Sequence, residues 1–263
     1  MPELAASLED LADLNLAEVA RIHHRWQPIA RLAEQGGLLC HQGTAPIPAP
    51  FQNCVLRTDA ALPAAEALDR ADAFFGGASN PYAVHTFSRR DADLEQLLPQ
   101  RGFIRQSDLP AMLADQAVPV PAIAPSWRLT LATSAHDIGD FIHVSAQAYA
   151  SLGLPSFLTP SYFVQQAGLL DPQVSIVIAR GPDGAPAAAA MALHTGEMGG
   201  LYWVGTLPEG RGAGLAAACT ARATNLAFER GARAVTLQAS HMGEAIYRRL
   251  GYREYGRTAR WSR

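Results

Sequence analysis

The residues best suited to chemistry lie together between positions 201 and 216. An apolar run ending at Thr206 passes through Leu207, Pro208 and Glu209 to three glycines, Gly210, Gly212 and Gly214. These open directly into an alanine-rich stretch. Small residues let a backbone approach a ligand closely. The first amides of a helix point one way, with the positive end of its dipole behind them. Together these features make a cradle for phosphate or pyrophosphate, and Arg211 adds a cation with bidentate reach. An ordinary glycine turn before a helix uses the same residues, so the local pattern alone is weak. Residues 212–217 also satisfy the dinucleotide pattern GxGxxA. That reading fits poorly, because Leu207 to Gly210 intervene between the strand and the glycines. The next strand, 234–238, is followed by Ala239 and Ser240 where an acid is needed, and too little chain remains to build a dinucleotide domain.

Residues 204–216 closely resemble the acetyl-CoA-binding motif of the GNAT acyltransferases, R/Q-x-x-G-x-G/A, with Arg211, Gly214 and Ala216 in its three defining positions. Residues 237–252 resemble the second signature of that family, a strand followed by a helix ending in Y-x-x-x-G-F/Y, filled by Tyr247, Gly251 and Tyr252. The resemblance covers residues 127–260. It implies a GNAT acyl-CoA N-acyltransferase fold, an α/β chain built on a mixed sheet whose two central parallel strands splay apart. It further implies that Val204, Gly205 and Thr206 hold the pantetheine and acyl region. Arg211, Gly212, Ala213, Gly214, Leu215 and Ala216 would then receive the pyrophosphate of acetyl-CoA, with no metal. Tyr247 would be the general acid. Ser240 stands where relatives often carry an asparagine near the cofactor. The implied activity is transfer of an acetyl group to an amine of a small molecule or peptide. The base stays open between His194, Glu197, His241 and a water chain, with Tyr202 and Trp203 as pocket walls. A non-catalytic acyl-CoA sensor is the alternative, and the retained Tyr247 favours the enzyme.

The elements that must position these residues read in order from the periodicity. In the C-terminal half the spacing predicts strands at 127–133, 174–180, 185–194, 200–206, 234–238 and 252–260. Helices are expected from Ser134 to about 150, from Thr159-Pro160, over 212–230 and over 243–250. In the N-terminal half Leu16, Val19, Ala20, His23 and residues 29–32 recur at helical spacing, with Asn15 and Glu18 placed as a capping box. Strands follow at 37–41, 53–58, 82–87 and 103–113, and helices at 63–75 and 91–98.

Three prolines among residues 119–125 favour an extended connector. The expected division is therefore residues 1–116, a linker at 117–126, and residues 127–263. Gly102 and Phe103 faintly echo the second signature, yet no R-x-x-G-x-G/A occurs in the first half. It reads as a degenerate GNAT-like copy or a capping domain that shapes the acceptor pocket. The composition, 49% hydrophobic and 17% charged, supports a sizeable core. All 21 basic residues are arginine, which excludes lysine Schiff-base chemistry and a Walker-type loop. A net charge of −3 argues against a nucleic-acid surface. No apolar run is long enough to span a bilayer. Cys40, Cys54 and Cys219 show no CxxC spacing, and His23-His24 lacks further ligands. These features point to a cytoplasmic monomer or homodimer.

Overall fold

The computed structural model describes residues 7–27, 30–44, 52–76, 80–151 and 153–263. Ser7 starts the first helix, α1 (Leu8–Trp26). Its hydroxyl accepts the Asp10 N–H at 3.1 Å and the Asp10 carboxylate accepts the Ser7 N–H, a reciprocal cap. The helix therefore begins two turns before the Asn15/Glu18 box expected from the sequence. Asn15 is instead buried within α1. It donates to Thr195 Oγ1 at 2.8 Å and accepts the Tyr202 phenol at 2.6 Å. Arg31 and Leu32, expected in helix, belong to β1 (Arg31–Gln35). Gly36 and Gly37, both at positive φ, turn it back into β2 (Leu38–Gln42), the two-residue hairpin that such a pair favours. Ile29 of the same expected segment lies outside the described residues.

The chain continues through β3 (Cys54–Arg57), α2 (Ala64–Phe75), β4 (Ala83–Phe87), α3 (Ala92–Leu97) and β5 (Ile104–Ala114). Residues 115–127 form neither helix nor strand. Then come β6 (Arg128–Leu131), α4 (Ala135–Ala150), β7 (Val174–Arg180), β8 (Pro186–Thr195), β9 (Met198–Thr206), α5 (Leu215–Glu229), β10 (Ala234–Gln238), α6 (Glu244–Leu250) and β11 (Arg253–Ser262). The helix expected from Thr159 is a 3₁₀ turn, Ser156–Tyr162, with Pro160 inside it. Leu158, Tyr162 and Phe163 pack it beneath α4.

Among the described residues eleven strands form one mixed sheet in the order β1-β2-β3-β4-β11-β5-β10-β9-β8-β7-β6. The same run of senses occurs twice. Two antiparallel steps, β1/β2 and β2/β3, lead to the parallel pair β3/β4 joined by α2. Likewise β7/β8 and β8/β9 lead to the parallel pair β9/β10 joined by α5. Each parallel pair is then flanked by the last strand of the other half, β11 beside β4 and β5 beside β10. The cores follow this exchange. Trp261 of β11 is buried with Leu38, Val84 and Phe103, and donates to Thr86 Oγ1 at 3.1 Å. Met112 and Ala114 of β5 are buried with α5 residues and Val235.

Candidate active site

Two departures from regular pairing open the sheet where the chemistry-bearing residues gather. Strands β9 and β10 pair only from Met198 to Gly200 against Ala234 to Thr236. Past that point β10 stays paired with β5, while β9 runs on alone on that side to Thr206. Trp203 sits at φ 53°, a conformation disfavoured for an aromatic residue, and the β8/β9 register slips beside it. This bulge turns the Trp203 ring into the core under α4. It leaves the backbone of Val204 to Thr206 bordering a cleft of about 490 Å³.

The glycine-rich loop forms the floor of that cleft. Gly210 lies against β8, where a Cβ would stand 3.1 Å from Ala187 Cβ. Gly212 and Gly214 adopt φ of 78° and 75°, conformations that favour glycine, and a Cβ on either would point into open space. Gly214 caps α5 with no side chain, so the first amides of the helix carry no side-chain cap. Val204, Gly205, Thr206, Arg211, Gly212, Gly214, Leu215, Ala216, Ser240 and Tyr247 all border the cleft; Ala213 sits between two of them without bordering it. The uncapped helix start and the bare glycines fit an anionic group such as a pyrophosphate.

Tyr247 enters from α6. Its ring packs so closely on Gly243 that a Cβ there would come within 2.7 Å of it, and its centroid lies 6.1 Å from that of Tyr252. Burial pushes the phenol up to about 12, so it holds its proton at neutral pH. Ser240 Oγ accepts the Gly243 N–H at 3.2 Å, which fixes the turn that carries α6 to the cleft.

The residues considered as bases are not brought to this place. His194 pairs with Gly199 at the far end of the β8/β9 hairpin, roughly 16 Å from Val204 at ordinary strand rise. Its Nε2 contacts Ser175 Oγ at 3.0 Å, and burial lowers it to about 4. Glu197 pairs with Arg233 at 3.0 Å. His241 is exposed between two bordering residues without lining the cleft itself. Tyr202 turns toward α1 and Asn15. Arg248 is paired with Glu244 and Glu254, whereas Arg249 borders the cleft.

A second cavity of about 410 Å³ escapes sequence reasoning. His23 of α1, His41 of β2, His85 of β4, Arg260 of β11 and Trp203 of β9 border it, and Tyr149 of α4 borders both cavities. Burial lowers His23 to about 3 and His85 to about 4, and it also lowers His41. These imidazoles are neutral. The lining comes from both ends of the chain, so no local spacing could have announced it. His24 turns instead toward His41, their rings 6.3 Å apart. Among the described residues no group of three or more His, Cys, Asp or Glu could hold a metal ion, and no helix is long and apolar enough to cross a membrane.

Residues 192–255 match the acetyltransferase (GNAT) domain family. Over those residues the chain is similar to a GNAT acetyltransferase domain. The matched segment contains every cleft-bordering residue except those of the α4 side, Ala148, Tyr149 and Ser151. The GNAT family carries out acyl transfer with acetyl-CoA. The GNAT fold extends over nearly the whole chain. A GCN5-related N-acetyltransferase from Kribbella flavida is similar at 21% identity and a TM-score of 0.74, over 98% of this chain and 96% of that one. A GCN5-related N-acetyltransferase from Sphaerobacter thermophilus is similar at 17% identity and a TM-score of 0.60, over 94% and 84%. A tandem GNAT protein from the clavulanic acid biosynthesis pathway is similar at 16% identity and a TM-score of 0.60, over 97% and 94%. A search of curated proteins finds no match.

Proposed function

We propose that the protein is an N-acetyltransferase that moves an acetyl group from acetyl-CoA to an amine of a small molecule or peptide. The observation that carries this reading is the cleft that gathers the glycine cradle and Tyr247 beside the unpaired edge of β9, with Tyr149 bordering both this cleft and the second cavity. Acetyl-CoA supplies an acetyl group activated as a thioester. The free backbone edge of Val204 to Thr206 holds the pantetheine as an added strand would. The amides from Arg211 to Ala216 hold the pyrophosphate.

The amine enters from the second cavity. A buried wall that holds no Asp or Glu among the described residues disfavours an ammonium and favours the neutral amine that attack requires. The amine nitrogen forms a bond to the acetyl carbon while a β9 N–H steadies the developing oxyanion. The C–S bond then breaks, and Tyr247 gives its proton to the departing sulfur. The proton lost by the amine leaves through water.

The first half, residues 1–116, is a degenerate copy of the same fold, joined through 117–126 to the catalytic half, 127–263. The repeated order of strand senses and crossover helices supports this. Where β9 runs into the glycine loop, β3 ends in Arg57, ion-paired with Asp91 and Asp93, and no second cradle forms there. The three free cysteines support a reducing, cytoplasmic setting. Thiol release from acetyl-CoA across an amine panel tests the activity. Turnover with one or more amines is expected; tight acetyl-CoA binding without any acetyl transfer would favour the sensor.

A further inference from the structure

The first cleft has two ends, and β9 orders them. Thr206 leads through Leu207 and Pro208 into the glycine loop, whereas Gly205 and Val204 lie progressively farther back along the strand, toward the Trp203 bulge. A pantetheine arm laid along this edge from the cradle therefore points its sulfur toward Val204 and Trp203. Tyr149 stands at that end. It lies in the last turn of α4, which sits so close on β9 that a Cβ on Gly205 would come 2.6 Å from Ala148 Cβ. The Tyr149 ring centroid is 4.7 Å from that of Trp203. Trp203 is itself backed by Phe163 at 5.0 Å and Tyr162 at 5.3 Å, so Tyr149 rests on a close-packed wall. Burial raises its phenol, and the nearby phenol of Tyr247 raises it further. Tyr149 and the proton donor thus share the sulfur end of the cleft. Beyond Tyr149 lies the second cavity. Among the described residues Tyr149 alone borders both spaces, which makes its ring the partition between them.

We infer that Tyr149 sets the length of the acyl group: its ring ends the acyl site, so that acetyl is taken and longer linear chains are refused. An acetyl group extends a single methyl beyond the thioester carbon. Each further methylene has to enter the volume that the ring fills, and overfilling a packed site is costly. The acceptor brings only its nitrogen past the ring, so one side chain admits the amine and refuses the chain. The inference rests on reading the first cleft as the acetyl-CoA site. It assigns donor specificity to α4, which lies outside both sequence signatures.

Calorimetric titration of the full chain with acetyl-, propionyl-, butyryl- and hexanoyl-CoA tests this without needing an acceptor. In the native chain acetyl-CoA is expected to bind best and hexanoyl-CoA about tenfold more weakly or worse, the scale of an overfilled site. Tyr149→Ala joins the two cavities. Each added methylene is then expected to tighten binding by up to about fourfold, the worth of a buried CH₂, so that hexanoyl-CoA overtakes acetyl-CoA. Tyr149→Phe keeps the ring and is expected to keep the native order, which separates the bulk of the side chain from its hydroxyl. Hexanoyl-CoA bound as tightly as acetyl-CoA by the native chain would overturn the inference, whether or not Tyr149→Ala folds. So would the native order of affinities in a folded Tyr149→Ala. Failure of every acyl-CoA to bind removes the acetyltransferase reading and the partition with it, whereas acetyl-CoA binding with a flat chain-length series removes the partition alone.

Discussion

Tyr247 and Arg57 show how differently two buried polar residues are used. The phenol of Tyr247 is kept protonated by burial beside an open cleft, the state a proton donor needs. Tyr247→Phe is expected to lower turnover by about 100-fold or more, as loss of a general acid does, while the Kd for acetyl-CoA moves by less than about twofold. Steady-state rates set beside calorimetry check both halves of that expectation, and equal turnover would remove Tyr247 from the chemistry. Arg57 is 1% exposed and spends its whole fork inside the protein. It donates to Asp91 at 3.0 Å, to Asp93 at 2.6 and 2.9 Å and to the Leu62 and Arg90 carbonyls. Arg57→Ala takes the nearest cation from the fully buried Asp91, leaving it the Phe87 N–H and Arg90 at 3.8 Å, and is expected to destabilise the fold by about 3–5 kcal/mol in urea unfolding. An unchanged midpoint would contradict that role. At this scale the glycine cradle and Tyr247 were legible because they sit in contiguous motifs. Arg260 and His85 of the second cavity were not, since only strand register brings them together.

At the scale of elements, β9 does the most to shape the site, and it does so with residues it lacks. A Cβ on Gly199 would stand 2.7 Å from Ala227 of α5, one on Gly200 1.9 Å from Asn15 of α1, and one on Gly205 2.6 Å from Ala148 of α4. Three helices thus press onto β9 at the three positions where it carries no side chain. Gly205→Val forces β9 and α4 apart and is expected to cost about 1–3 kcal/mol. It should also weaken acetyl-CoA binding, because Gly205 borders the cleft between Val204 and Thr206. Thermal unfolding and calorimetry read the two effects, and a variant with native stability would contradict the tight packing. Most strands and helices were legible from periodicity. The misreadings fell where local signals competed: β1 carries too few apolar residues to alternate, and its Gly36-Gly37 turn was the better guide. Asn15 mimicked a cap because a polar residue inside a helix looks the same whether it starts the helix or bonds a strand behind it.

The whole molecule is held as one by the exchange of its last strands. Deleting residues 253–263 would expose the edges of β4 and β5 and remove Trp261 from the N-terminal core. Loss of cooperative unfolding throughout the chain is expected by circular dichroism, and a truncated chain with a native midpoint would contradict the joint role of β11. No local pattern reveals this exchange, because β5 and β11 read the same whichever half they join. Acid sensitivity is a second property of the whole. His23, His85 and His194 titrate near 3, 4 and 4 when folded, against about 6.5 when unfolded. Below about pH 6.5 the unfolded chain therefore binds protons that the fold refuses, and stability drops as pH falls toward 4. Asp13, raised to about 6 by burial, and Asp91, also raised by burial, work the other way over part of that window but are two groups against three histidines. The urea midpoint is expected to fall between pH 7 and pH 5, and less steeply in His85→Gln; a flat profile would contradict the buried neutral histidines.

The central claim is that the β9 edge and the loop from Arg211 to Ala216 bind acetyl-CoA. Calorimetric titration of the full chain with acetyl-CoA, with NADH as a parallel control, tests it most directly. Saturable micromolar binding of acetyl-CoA alone is expected. No binding of acetyl-CoA, or equal binding of NADH, would contradict it.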